Sequence, residues 1–141
     1  MSDFKLENFV YSAHQLSEKS QRLLFAIKKA LSEELLMFFY PKNLFTKVEG
    51  NEEEVIILSK NNKIWRASCI DNSYTCKFEV WDVNEIVKLE LYPNSENESV
   101  ELKIIFRDNN QLVLNSEMDG NYHWAYKYRK HIRDLFEILS T

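Results

Sequence analysis

The chain of 141 residues is 45% hydrophobic and 13% aromatic, enough apolar material for a packed core and too much for intrinsic disorder. A domain of this length buries roughly 68–70% of the surface its unfolded chain exposes. The net charge of −4 argues against broad non-specific attraction to nucleic acid or anionic membrane, and two glycines are too few for a phosphate-cradling loop.

Met1 to Ser12 carries Asp3 and Glu7 and lacks a basic stretch followed by an apolar core, so no secretory leader is expected. The longest apolar run, Leu35-Leu36-Met37-Phe38-Phe39-Tyr40, falls far short of the roughly 18 residues of a membrane span. A cytoplasmic protein with reduced cysteines is the expectation.

A weak helical turn over Asp3 to Ala13 precedes a stronger pattern. Leu16, Leu23, Leu24, Ile27, Leu31, Leu35 and Phe38 recur at helical spacing, with Glu18, Lys19, Arg22, Lys28, Lys29 and Glu33 on the wet face. Ser17 is a suitable N-cap, Pro41 a stop, and Ser32-Glu33-Glu34 a second cap that marks a break. Lys42 to Glu54 reads as a connector with an acidic end.

Six strands follow: Val55–Ser59, Lys63–Ile70, Thr75–Asp82, Glu85–Tyr92, Ser99–Arg107 and Gln111–Asn115. Polar turns join them, Asn61-Asn62 being suited to left-handed backbone, so an antiparallel meander is expected. A four-residue loop over Asp71–Tyr74 sets Cys69 opposite Cys76, Ala67 opposite Phe78 and Trp65 opposite Val80. Those six share one covered face, against Arg66, Ser68, Lys77 and Glu79 on the other. In the next hairpin Val87, Leu89 and Leu91 point with Val100, Leu102, Ile104 and Phe106.

From Asp119 or Asn121, both good caps, the pattern turns helical. Trp124, Tyr128, Ile132, Leu135 and Leu139 form an apolar stripe, widened by Ala125 and Phe136, and the sheet's apolar face is its partner. The expected object is one α+β domain over 1–141: helical to 41, an antiparallel sheet or partial barrel over 54–115, and a C-terminal helix packed on it over 119–140.

Glu85 to Tyr92, Ser99 to Arg107 and Gln111 to Asn115, followed by Trp124 to Leu139, give an order that resembles the pleckstrin-homology-like barrel, its small bacterial members included. The resemblance covers about residues 54–141 and is one of topology, not of motif. That fold has seven strands where six are read here, and Lys42 to Val48 is the place for a seventh. The resemblance implies a non-catalytic module that binds peptides, proteins or lipid head groups.

Three groups of residues are candidates for chemistry. Lys127, Arg129, Lys130, His131 and Arg133 concentrate positive charge, with Tyr122, Tyr126 and Trp124 as stacking surfaces for an anion. The alternative is a solvated helix face, since Lys130–Asp134 and Arg133–Glu137 both sit at i,i+4 spacing. Cys69 and Cys76 admit a cross-strand disulfide, half a metal site or two reduced core thiols, and reduced thiols are expected. Trp81 alternates away from Cys76, Phe78 and Val80, which puts it on the wetter face as a candidate binding residue unless the N-terminal helix covers it.

No serine lies in a glycine-flanked nucleophile turn, His14, His123 and His131 form no signature with the cysteines, and the Glu52-Glu53-Glu54 run does not converge. The function expected is therefore non-enzymatic recognition of a protein or peptide, without cofactor, metal or nucleic acid. The open edge strands, Trp81 and the Tyr122–Tyr126 aromatics are the places for it. An anion or phospho-ligand module on the basic helix is the alternative, and an enzyme without a recognisable motif is third.

Overall fold

The computed structural model describes residues 18–43, 53–70, 75–120 and 124–141. It is an α+β protein whose chain sorts into two compact units, Met1–Val80 and Trp81–Thr141.

Among the described residues the first element of the first unit is helix α1, Glu18–Ala30, which buries Leu23, Leu24 and Ile27 and packs on the sheet at β3. The helix is shorter than its apolar periodicity predicts. After Leu31, Ser32 accepts a hydrogen bond from the Glu34 N–H (3.3 Å) and caps a single 3-10 turn over Glu33–Leu35. The chain then enters strand β1, Leu36–Lys42. The expected helix up to Pro41 is thus corrected: its last turn and a half is a strand. The physical reason is the content of that run. Phe38, Phe39 and Tyr40 favour pleated backbone, and four consecutive buried residues, Phe38 to Pro41, need cover on both sides. Among the described strands β1 lies at the end of its sheet, a position compatible with Pro41. Ser17 and Leu16 lie outside the described residues, as do the Asp3–Ala13 turn and His14.

The four-stranded sheet runs β1-β2-β3-β4 with β2 Glu54–Ser59, β3 Lys63–Cys69 and β4 Cys76–Asp82. Phe39 pairs with Ile57 and Pro41 with Val55, and a bulge near Met37 turns that side chain out. Strand β2 is buried from Val55 to Ser59, as suits a central strand. The β2–β3 hairpin closes where expected, with Asn62 at φ 61°. Among the described residues seven strands are therefore present in place of six, the extra one being β1. Residues 44–48, most of the stretch read as a place for a seventh strand, lie outside the described residues.

The cross-strand contacts of β3 and β4 are those of the expected register: Cys69 Sγ to Cys76 Sγ at 2.8 Å, and Arg66 to Glu79 through two hydrogen bonds of 2.9 and 3.0 Å. The covered face is less continuous than predicted. Ala67 and Cys69 are buried and Trp65, Cys76 and Phe78 half-buried, but Val80 is exposed.

In the second unit, β5 Ile86–Pro93, β6 Val100–Phe106 and β7 Gln111–Asn115 form a three-stranded antiparallel sheet, so the strands divide between two sheets where one meander was expected. Strand β6 alternates as predicted, burying Val100, Leu102, Ile104 and Phe106. One expectation fails on β5. A bulge between Ile86 and Lys88 sets Ile86 opposite Phe106 and turns Val87 to solvent.

Helix α2, Ala125–Ser140, packs on this sheet and buries Ala125, Tyr128, His131, Ile132 and Leu135. It starts later than expected. Its N-cap is Trp124, with no side-chain cap hydrogen bond. Asp119 is instead buried four residues beyond β7, where its carboxylate accepts the Asn115 N–H at 2.6 Å. Asn121, the other expected cap, lies outside the described residues, with Tyr122 and His123.

Candidate functional site

Trp81, predicted on the wetter face, is 8% exposed. Its ring stacks on Phe106, and its indole N–H donates to the Asp108 carboxylate at 3.1 Å. Hydrogen bonds from Asn110, backbone first, and then from Trp81 hold that carboxyl below the usual range. Trp81 is therefore a structural residue of the second unit. The sequence offered burial under the N-terminal helix, but the observed stacking partner is Phe106.

The basic helix is also largely engaged. Arg129 Nε and Nη2 both lie 2.8 Å from Glu117 Oε1, and Lys130 Nζ lies 3.0 Å from Asp134. Lys127 Nζ sits 4.5 Å from the centre of the Trp124 ring and 6.0 Å from that of Tyr126. His131 is buried, not part of a charged surface. The predicted Arg133–Glu137 pair is not formed: among the described residues no carboxylate comes within ion-pair distance of exposed Arg133. Trp124, Tyr126 and Lys127 are brought together, Arg129 and Lys130 are each tied to a carboxylate, and Tyr122 lies outside the described residues.

Edge pairing has its own obstacle. Strand β5, at one end of its sheet among the described strands, presents Lys88 and Glu90 as an ion pair at 3.4 Å and ends in Pro93. Tyr92 and then Lys88 lower the Glu90 carboxyl, and that contact in turn raises the Tyr92 hydroxyl. Charge and proline on an edge discourage strand addition.

A better receptacle lies in the first unit, between α1 and β4. On α1, Glu18, Gln21, Arg22, Phe25, Ala26 and Lys29 recur at three- and four-residue steps and so share a face. On β4, Cys76 and Phe78 are two residues apart and point the same way. Together they line an open groove of about 520 Å³. Its floor is apolar (Ala26, Cys76, Phe78). Phe25 is 46% exposed, a large ring left in water on a helix whose other face is fully buried.

The groove's charges are unevenly matched. Arg22 Nη1 and Glu18 Oε1 lie 3.3 Å apart at one end. At the other end, Lys29 has no carboxylate within ion-pair distance among the described residues. Cys69 donates its S–H to the Lys19 carbonyl at 3.6 Å and meets Cys76. Burial, followed by the neighbouring Cys76, pushes the Cys69 thiol up to about 12.

Sequence reading did not single out Phe25, Phe78 or Lys29 as site residues. A signal existed for the first. Phe25 falls off the Leu23-Leu24-Ile27-Leu31 stripe, among Arg22, Lys28 and Lys29, where an aromatic ring has no packing reason to be.

Among the described residues, no three His, Cys, Asp or Glu side chains converge as metal ligands, and no helix is long and apolar enough to cross a membrane. Comparison with known proteins finds no matching family model, no matching curated protein and no matching solved structure.

Proposed function

We propose that this protein is a non-catalytic recognition module that takes a segment of another protein into the groove between α1 and β4. The observation that carries the reading is the half-exposed Phe25 ring over an apolar floor of Ala26, Cys76 and Phe78. Burying such a ring contributes about 1.5–3 kcal/mol, a gain left for a partner to collect. Lys29 at one end favours a segment whose large apolar side chain is followed by an acidic residue. Among the described residues seven strands precede one C-terminal helix, the strand count and order of the pleckstrin-homology-like fold, and that likeness supports recognition over catalysis by analogy alone.

The anion-binding alternative has less support, because Arg129 and Lys130 already hold carboxylates. Strand addition at β5 is disfavoured by its charges and proline.

The test is selection of a displayed random peptide library on the purified protein. Enriched peptides should share an apolar residue with an acid nearby. Phe25→Asp should weaken them by about tenfold or more at unchanged melting temperature. Lys29→Glu should remove the preference for the acid. Peptides that bind wild type and Phe25→Asp equally would rule out the groove.

A further inference from the structure

Two thiols meet at the groove, and their surroundings differ. Cys69 on β3 is buried, whereas Cys76 on β4 is half-exposed and lines the groove beside Arg22. The sulfurs are 2.8 Å apart, so reaching a disulfide length of about 2.05 Å asks roughly 0.8 Å of closure. Both cysteines are free. Packing alone does not require this pairing, because two small apolar residues fill facing positions at least as well.

We infer that Cys69 and Cys76 form a reversible dithiol–disulfide site oxidised by hydroperoxides, with Cys76 as the sulfur attacked first and Cys69 as the resolving thiol. Cys76 is the one that small oxidants reach from the groove. The Cys76 sulfur bonds to the distal oxygen of the peroxide as the O–O bond breaks, and the proton lost by the Cys76 thiol goes to the departing oxygen, which leaves as alcohol or water and Cys76 as its sulfenic acid. The Cys69 sulfur then attacks the Cys76 sulfur. The S–O bond breaks, the S–S bond forms, and the hydroxyl departs as water with the Cys69 proton. Two thiols are oxidised by two electrons and one peroxide is reduced.

The division of labour follows from the surroundings. Cys69 is held as the neutral thiol by its burial and donates its S–H as a hydrogen bond to the Lys19 carbonyl, so it is a poor first nucleophile. It is nonetheless in contact with the Cys76 sulfur as soon as that sulfur is oxidised. Closure removes the S–H bond to Lys19, and the linked strands change one wall of the groove. The inference does not depend on peptide binding and stands or falls separately from it.

The test treats the reduced full-length protein with stoichiometric hydrogen peroxide and measures its mass. Trypsin releases both cysteines on the single peptide 67–77, so an internal bridge is read directly. The expected result is a loss of about 2 Da from that peptide, with no alkylable thiol left and full recovery on adding a dithiol reductant. In Cys69→Ser the oxidation should stop at a Cys76 sulfenic acid that dimedone traps; in Cys76→Ser, Cys69 should stay unmodified. An unchanged peptide, a gain of about 32 Da as sulfinic acid, or a bridge between two molecules in the wild type would each overturn the inference. The wild-type measurement decides even if a variant fails to fold.

Discussion

The indole of Trp81 lies flat on the phenyl ring of Phe106, with centroids 4.5 Å apart and planes within 10° of parallel. Phe106 is wholly buried and Trp81 nearly so, and the indole N–H is satisfied by Asp108. A tryptophan at this position is therefore core. Trp81→Ala should cost about 3–5 kcal/mol in chemical denaturation. Trp81→Phe, which keeps a ring over Phe106 but loses the bond to Asp108, should cost less. A melting temperature unmoved by Trp81→Ala would mean that the stack contributes nothing to stability.

Gly120 sits against Tyr128. A Cβ there would lie 2.8 Å from Tyr128 Cδ2 and 2.9 Å from Cζ, and nearer still to Cε2. Tyr128 is 2% exposed on the buried face of α2, so its ring has little room to retreat. Gly120→Ala should therefore destabilise the protein by about 1–3 kcal/mol, the usual cost of overpacking. The double variant Gly120→Ala/Tyr128→Leu should recover part of that loss, because the clashing ring is gone. Additive losses in the two changes would contradict the close approach.

The limits of sequence reading trace to particular residues. Strict alternation from Val100 to Phe106 admits one register, and β6 has it. The Trp124–Leu139 stripe needs an apolar partner, and α2 lies on the sheet. By contrast, Leu35 to Tyr40 is apolar at every position, so its periodicity cannot separate helix from strand, and the helix pattern ahead of it ran on into β1. Val87 failed because a bulge shifts alternation by one residue without leaving a compositional mark. Trp81, left open between an exposed face and cover by the N-terminal helix, has a related limit. Alternation gives a face, but what covers that face depends on Phe106, 25 positions further along. The groove was invisible because it joins α1 to β4 across more than 40 residues, although Phe25 on a charged helix face was a usable hint.

Alkaline pH should reveal the buried thiol and phenol. The Cys69 thiol rises from 9.0 to about 12, mainly through burial, and burial with the Asp119 charge raises the Tyr128 hydroxyl as well. A raised acid holds its proton in the folded state at a pH where the unfolded chain has lost it. The folded state therefore binds more protons, and stability falls as pH rises. The decline should begin near pH 9, the ordinary thiol value, and continue towards 12. Cys69→Ala should flatten its lower part and Tyr128→Phe the part above pH 10. Equal slopes in urea denaturation for wild type and both variants would mean that neither group is shifted.

Arg129 answers whether the basic face of α2 is a binding surface or a strut. Its guanidinium reaches Glu117, just past β7, through Nε and Nη2 at 2.8 Å each, so it ties the helix to the end of the sheet. Both side chains retain some contact with water, which limits the pair to about 0.2–1 kcal/mol. Arg129→Ala should therefore lower stability by that small amount, and Glu117→Ala by somewhat more, because Glu117 Oε1 also accepts from the buried Ser116 hydroxyl at 3.2 Å. The two losses should not add in the double variant, since either change alone breaks the pair. Inorganic phosphate should not raise the wild-type melting temperature beyond that of Arg129→Ala/Arg133→Ala, because Glu117 already occupies the fork that an anion would need. A phosphate-dependent rise confined to wild type would restore the anion-binding reading, and its decline with added salt would count the contacts involved.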